Sequence, residues 1–130
     1  MASELKKRRT ILLFGTDHEV FSGRARALHK KGYHVLNASN GFEAIKLAAK
    51  VDAVVLDMHR NSAEVGLVAT EIKWRQPQVP TILLTEDTID VEGVRTLADV
   101  LVPKRDNLEM LVTALESVLL SGGKTSKLVH

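Results

Sequence analysis

Residues 52–57 read Asp-Ala-Val-Val-Leu-Asp, an apolar and β-branched run enclosed by two carboxylates. The length of this run and its polar flanks predict a β-strand, and its unbroken apolar character predicts a central strand that is covered on both faces. Asp57 then lies at the carboxyl end of that strand. The rest of the chain has to supply the neighbouring strands and the layers that cover them.

Four more runs of the same kind recur along the chain, and helical patterns separate them. The predicted strands are Thr10–Gly15, Tyr33–Ala38, Asp52–Asp57, Pro80–Thr85 and Asp99–Pro103, and the predicted helices are 18–31, 41–50, 63–75, 88–97 and 106–120. Strands that alternate with helices of this length favour a parallel sheet with right-handed crossovers. Tyr33–Ala38 is the most polar run of the first four, which predicts an edge position for it.

The composition limits the kind of protein. The chain has 130 residues, 45% of them hydrophobic, and no cysteine, which excludes disulfides and thiolate metal sites. A net charge of +2 and 4% aromatic residues argue against a nucleic-acid surface, and no apolar run is long enough to span a membrane. We expect one cytoplasmic domain over residues 10–120, an N-terminal tail over 1–9 and a flexible C-terminal tail over 121–130.

Three polar residues follow neighbouring strands of the predicted sheet. Asp57, Thr85 and Lys104 each lie at the carboxyl end of a strand, where open α/β sheets collect their ligands. A carboxylate there can accept a phosphoryl group, while an ammonium and a hydroxyl bind its oxygens. The plainer alternative is that Asp57 ends a strand as a turn residue and forms a salt bridge with Lys104. Spacing alone leaves both interpretations open.

Several segments together resemble the receiver domain of two-component response regulators. The resemblance extends from Arg9 to Leu120, nearly the whole chain. It rests on Ile11–Phe14, on Gly32-Tyr33, on Asn40-Gly41-Phe42-Glu43-Ala44, on Val-Val-Leu-Asp-Met around Asp57, on Val79–Thr85 and on Ala98–Lys104. Each motif is short, but all of them occur in the order and at the spacing of that family.

The resemblance implies a flavodoxin-like, doubly wound α/β/α fold with five parallel strands in the order 2-1-3-4-5. It also implies that Asp57 is the phosphoryl acceptor, Thr85 the switch hydroxyl and Lys104 the phosphate-binding lysine. The expected protein is a signalling domain whose own chemistry is at most phosphorylation and dephosphorylation of Asp57. The implied partners are a histidine kinase or another signalling protein, with a homodimer through the face of the fourth helix, fifth strand and fifth helix.

The chain departs from the receiver pattern at its metal site. Receivers end the first strand with two acidic residues that hold Mg²⁺, and the ungapped alignment places Gly15 and Thr16 there. Asp17 falls one position beyond. Mg²⁺ is usually held by one or two carboxylates, so we expect Asp57, with Asp17 at best a poorly placed second ligand, to bind it weakly. Glu86, where receivers usually have a small residue, adds repulsion to an incoming phosphoryl group.

The sequence therefore supports an atypical receiver domain that acts in phosphorelay signalling as an interaction module, with Asp57 as the candidate acceptor. Two alternatives stay open. In one, Asp17 supplies the missing ligand and the domain is a competent, Mg²⁺-dependent phospho-acceptor. In the other, the domain is flavodoxin-like and binds a small ligand in the same crevice.

Overall fold

The computed structural model describes residues 8–15, 18–57, 63–85, 98–103 and 108–120, with residues 18–22 described by their backbone only. The strands are β1 (Thr10–Phe14), β2 (His34–Asn37), β3 (Ala53–Asp57), β4 (Thr81–Thr85) and β5 (Val100–Pro103). The helices are α1 (His18–Lys30), α2 (Gly41–Leu47), α3 (Ala63–Arg75) and α4 (Leu108–Leu120). The helix predicted over 88–97, the tail predicted over 121–130 and residues 1–7 of the other predicted tail lie outside the described residues.

The five strands form one parallel sheet in the order β2-β1-β3-β4-β5. The predicted flavodoxin-like order is confirmed, and so is the edge position of the second strand. Burial follows the same order. Every residue of β3 and β4 is buried, whereas the edge strands β2 and β5 are mostly half-buried or exposed.

Two apolar cores cover the two faces of the sheet, which confirms the three-layer architecture. Residues of alternate parity along the central strands point to opposite faces. One core joins the sheet to α2 and α3 through Leu12, Phe14, Ala44, Val54, Leu56, Val65, Val68, Ala69, Ile72 and Leu83. The other joins it to α1 and α4 through Ile11, Leu13, Leu28, Val55, Ile82, Leu84, Leu111, Leu115, Val118 and Leu119. Among the helices that the structure describes, none has the length and apolar character needed to cross a membrane.

The start of α2 is built by a capping box and a close approach to α3. Asn40 Oδ1 accepts the Glu43 N–H at 2.9 Å, and Glu43 Oε1 accepts the Ser39 N–H at 2.6 Å. These two bonds form a capping box, with Ser39 as the second donor in place of the cap residue itself. The hydrogen bond from Ser39 lowers the pKa of Glu43. A Cβ on Gly41 would lie 2.8 Å from Val68 Cγ2, so only glycine permits this contact.

The helix predicted over 41–50 is shorter in the structure. It ends at Leu47 and continues as a single 3₁₀ turn over Ala48–Lys50. A 3₁₀ turn has three residues per turn, so the burial pattern shifts. Ala48 is buried, whereas the next residue, Ala49, is exposed.

Two aspartates form the same pair of hydrogen bonds at the amino edge of the sheet, where the parallel strands begin. Asp52, just before β3, accepts the Thr10 N–H through Oδ2 at 2.8 Å and donates its own N–H to the Thr10 carbonyl at 2.8 Å. Asp99, just before β5, forms the same two bonds with Thr81, both at 2.8 Å. Asp99 also accepts from Lys73 Nζ at 2.9 Å. Each aspartate thereby ties the first residue of one strand to the start of its neighbour.

Thr81→Val should raise the free energy of unfolding by about 1–2 kcal/mol, since a buried hydroxyl without a partner costs about that much. The Thr81 side chain is fully buried, and within the described residues its hydroxyl has no hydrogen-bond partner. Valine keeps the shape and leaves both backbone bonds to Asp99 intact. Urea unfolding measures the change, with Thr81→Ser as the control that keeps the hydroxyl. A loss of stability in the valine variant would contradict the prediction.

Candidate functional site

Asp57 and Thr85 end adjacent central strands. Asp57 pairs in register with Leu84, so Thr85 lies one residue further along β4. The Asp57 residue is 1% exposed and Thr85 is 9% exposed, so both polar side chains sit at the boundary of the core. The structure therefore brings two of the three predicted site residues to one edge of the sheet.

Lys104, the third predicted residue, lies outside the described residues. Its neighbour Pro103 is the register partner of Thr85 on β5. The strand that leads to Lys104 thus ends level with Thr85, but the structure describes no contact of the lysine side chain.

The β1 side of the site offers no ligand level with Asp57. Phe14 pairs in register with Leu56, so Gly15 is the residue that lies beside Asp57. Gly15 is buried and has no side chain. Thr16 and Asp17, the next two residues, lie outside the described residues, so the predicted role of Asp17 stays a prediction.

A cation that the sequence analysis did not single out contacts Asp57. Arg24 Nη1, on α1, donates to Asp57 Oδ2 at 3.3 Å. The Arg24 side chain is 17% exposed and the Asp57 side chain 1% exposed, so the ion pair is largely removed from water. Buried charges are normally retained only when they are paired in this way.

The position of Arg24 follows from helix geometry. Arg24 precedes the fully buried Leu28 by four residues, so both lie on the face of α1 that looks at the sheet. Helical side chains lean toward the helix N-terminus, which for α1 is the carboxyl edge of the sheet. The spacing of Arg24 and Leu28 was the available signal. That signal is weak, because an arginine beside an apolar stripe usually extends its charged group into water.

In the described part of this site, the Asp57 carboxylate faces the guanidinium of Arg24. No group of three His, Cys, Asp or Glu side chains in the described ranges could hold a metal ion. Gly15 contributes no oxygen from a side chain, and the guanidinium of Arg24 already neutralises the Asp57 carboxylate. A second cation placed next to Asp57 would be repelled by Arg24 at short range.

A cavity of about 1070 Å³ opens at the other, amino edge of the sheet. It is lined by Arg8, Arg9, Thr10, Lys31, Gly32, Tyr33, Asp52, Glu116, Leu119 and Leu120. This cavity is therefore separate from the carboxyl-edge crevice in which a flavodoxin-like domain was predicted to bind a ligand.

Sequence comparison identifies signalling proteins as relatives. No protein-family model matches the chain. Sensor kinase CckA of Brucella abortus is 28% identical over 125 residues, which cover 91% of this chain and 13% of that protein. Transcriptional regulatory protein PrrA of Mycobacterium tuberculosis is 28% identical over 121 residues, which cover 89% of this chain and 52% of that protein. The chain thus spans about half or less of these curated relatives.

Solved structures agree with the sequence relatives. Response regulator TrrA of Thermotoga maritima, in complex with Mg²⁺-BeF, matches with a TM-score of 0.75 and 26% identity over 85% of this chain and 99% of that chain. The chain is a homologue of response-regulator receiver domains. A CheY-like receiver domain protein of Methanospirillum hungatei shares the fold of this receiver-like domain, with a TM-score of 0.78 and 18% identity over 91% of this chain and 98% of that chain.

The family resemblance inferred from sequence is confirmed by these relatives. The receiver fold is that of a signalling domain in two-component systems and not that of a catalytic enzyme family. In this receiver-like domain, Arg24 forms an ion pair with Asp57, and Gly15 presents no side chain beside that carboxylate.

Proposed function

We propose that this receiver-like domain works in two-component signalling as a protein-interaction module whose output does not depend on Mg²⁺-driven phosphorylation of Asp57. The Arg24–Asp57 ion pair carries the proposal. The partner is a histidine kinase or another cytoplasmic signalling protein. A homodimer through α4, β5 and the predicted helix over 88–97 is a further proposed contact.

The ion pair works against phosphoryl transfer, because it compensates little of the incoming negative charge and makes the Asp57 carboxylate less reactive. An incoming phosphoryl group carries negative charge. In the receiver pattern, a Mg²⁺ ion held by two acidic residues offsets that charge. Arg24 supplies one positive charge, and its Nη1–H is already bonded to Asp57 Oδ2. A carboxylate in such a pair is a weaker nucleophile, and at 1% exposure Asp57 is hard for a donor to reach.

Intact mass after incubation with a small phosphoryl donor tests this function. The wild type and Asp57→Ala are each incubated with and without Mg²⁺, and a competent receiver domain is run in parallel to show that the donor is active. We expect no adduct that needs Mg²⁺. An adduct that requires both Mg²⁺ and Asp57, in protein whose circular dichroism shows a native fold, would contradict the proposal.

The second candidate is a competent, Mg²⁺-dependent phospho-acceptor in which Asp17 supplies the second carboxylate and Thr85 and Lys104 bind the phosphoryl oxygens. The likeness to TrrA, whose structure holds Mg²⁺-BeF, favours it. Asp17→Asn separates the two candidates, because it would abolish the adduct in a competent receiver. In the first candidate there is no Mg²⁺-dependent adduct to lose.

A further inference from the structure

We propose that Arg24 takes the place of the divalent cation in this domain, so that a positive charge in contact with Asp57 is part of the chain. The inference deepens the proposed function and rests on it, because it names the residue that makes the site independent of metal.

The Arg24 guanidinium lies directly against the Asp57 carboxylate. Arg24 Nη1 is 3.3 Å from Asp57 Oδ2, which is a direct contact between the charged atoms. The contact comes from the β1–α1 side of the site, the side to which Gly15 contributes no carboxylate. Two independent observations therefore concern the same side of the site: Arg24 places a positive side chain there, and Gly15 places no acidic side chain there. Both fit a site in which Arg24 supplies the positive charge.

The ion pair also sets the balance of charge beside Asp57. The charges of Arg24 and Asp57 cancel, so this pair presents no net negative charge to an approaching cation. The pair lies largely out of water, where charges interact more strongly than at the surface. A metal ion that bound Asp57 would have to displace Arg24 from a contact that compensates a buried carboxylate.

The proposal predicts a gain of metal binding when the charge of residue 24 is changed. Arg24→Glu places a carboxylate on the helix face that looks toward Asp57, and glutamate is shorter than arginine, which leaves room for a hydrated Mg²⁺ ion. Arg24→Gln removes the positive charge alone. Arg26→Glu is the matched control, since Arg26 lies on the same helix with an exposed side chain.

Calorimetric titration with MgCl₂ at constant ionic strength measures the affinity of each variant. We expect the affinity for Mg²⁺ to rise by at least about tenfold in Arg24→Glu and by about threefold in Arg24→Gln. The affinity of Arg26→Glu should stay close to that of the wild type. The proposal is overturned if the wild type already binds Mg²⁺ as tightly as Arg24→Glu, or if Arg24→Glu gains no more than Arg26→Glu. Should Arg24→Glu fail to fold, Arg24→Gln decides alone, and an affinity equal to the wild type overturns the proposal.

Failure of this inference differs from failure of the proposed function. A wild-type adduct that needs Mg²⁺ and Asp57 rejects the proposed function, yet a tenfold gain in Arg24→Glu would still assign the metal-opposing role to Arg24. Conversely, if the wild type forms no adduct and Arg24→Glu gains no affinity for Mg²⁺, the proposed function stands and the role of Arg24 is rejected.

Discussion

Arg24→Met is expected to lower the free energy of unfolding by about 2 kcal/mol, one of the two largest effects that we predict for a single substitution. Removing one partner of a fully buried ion pair costs about 3–5 kcal/mol, because the remaining charge loses part of its compensation. We expect less here because the Arg24 side chain is 17% exposed and its bond to Asp57 is long, at 3.3 Å. Urea unfolding at neutral pH measures the difference.

The matched variant at the other end of the pair should behave differently. Asp57→Asn removes the buried charge and leaves a guanidinium that can reach water, so we expect a change of less than about 1 kcal/mol. In the double variant, Arg24→Met should cost much less than it does in the wild type. Equal losses from the two single substitutions, or additive losses in the double variant, would show that the contact does not stabilise the fold as argued.

Asp99→Ala should cost about 2–3 kcal/mol, because it removes two side-chain interactions at once. The Thr81 N–H loses a charged acceptor at 2.8 Å, and Lys73 Nζ loses its ion pair at 2.9 Å. Thr81 is fully buried, so no water replaces the lost acceptor, and a hydrogen bond to a charged group contributes about 1.5–3 kcal/mol. Thermal and urea unfolding measure the loss.

Asp52→Ala is the internal control for this prediction. Asp52 makes the same backbone bonds to Thr10, but its side chain is 41% exposed, against 16% for Asp99. Water can therefore replace part of what is lost, and we expect a cost of about 1 kcal/mol. If Asp52→Ala proved as costly as Asp99→Ala, burial would not be the factor that sets the value of these bonds.

The layers of the fold could be predicted from the sequence because each element carries a local pattern. The runs that became β3 and β4 are apolar throughout, and every residue in them is buried. The helix predicted over 63–75 is present as Ala63–Arg75, and it buries four apolar residues at helical spacing, Val65, Val68, Ala69 and Ile72. The order of the strands came from resemblance, since periodicity does not say which strand lies next to which.

The candidate site was only partly predictable. Asp57 and Thr85 could be placed because both directly end a strand, and parallel strands end at a common edge. Arg24 could not be assigned in the same way. Its contact with Asp57 joins residues 33 positions apart, and a helix face can be inferred from sequence while the depth and rotation of the helix on the sheet cannot.

By itself, then, the sequence determined the α/β alternation and the edge position of the second strand, because each of these depends on residues close together in the chain. Only the tertiary structure decided which charge faces Asp57. That choice depends on how α1 packs through Leu28 against the sheet, since the packing carries the Arg24 guanidinium to within 3.3 Å of the carboxylate. Packing between distant segments is what local sequence patterns do not encode.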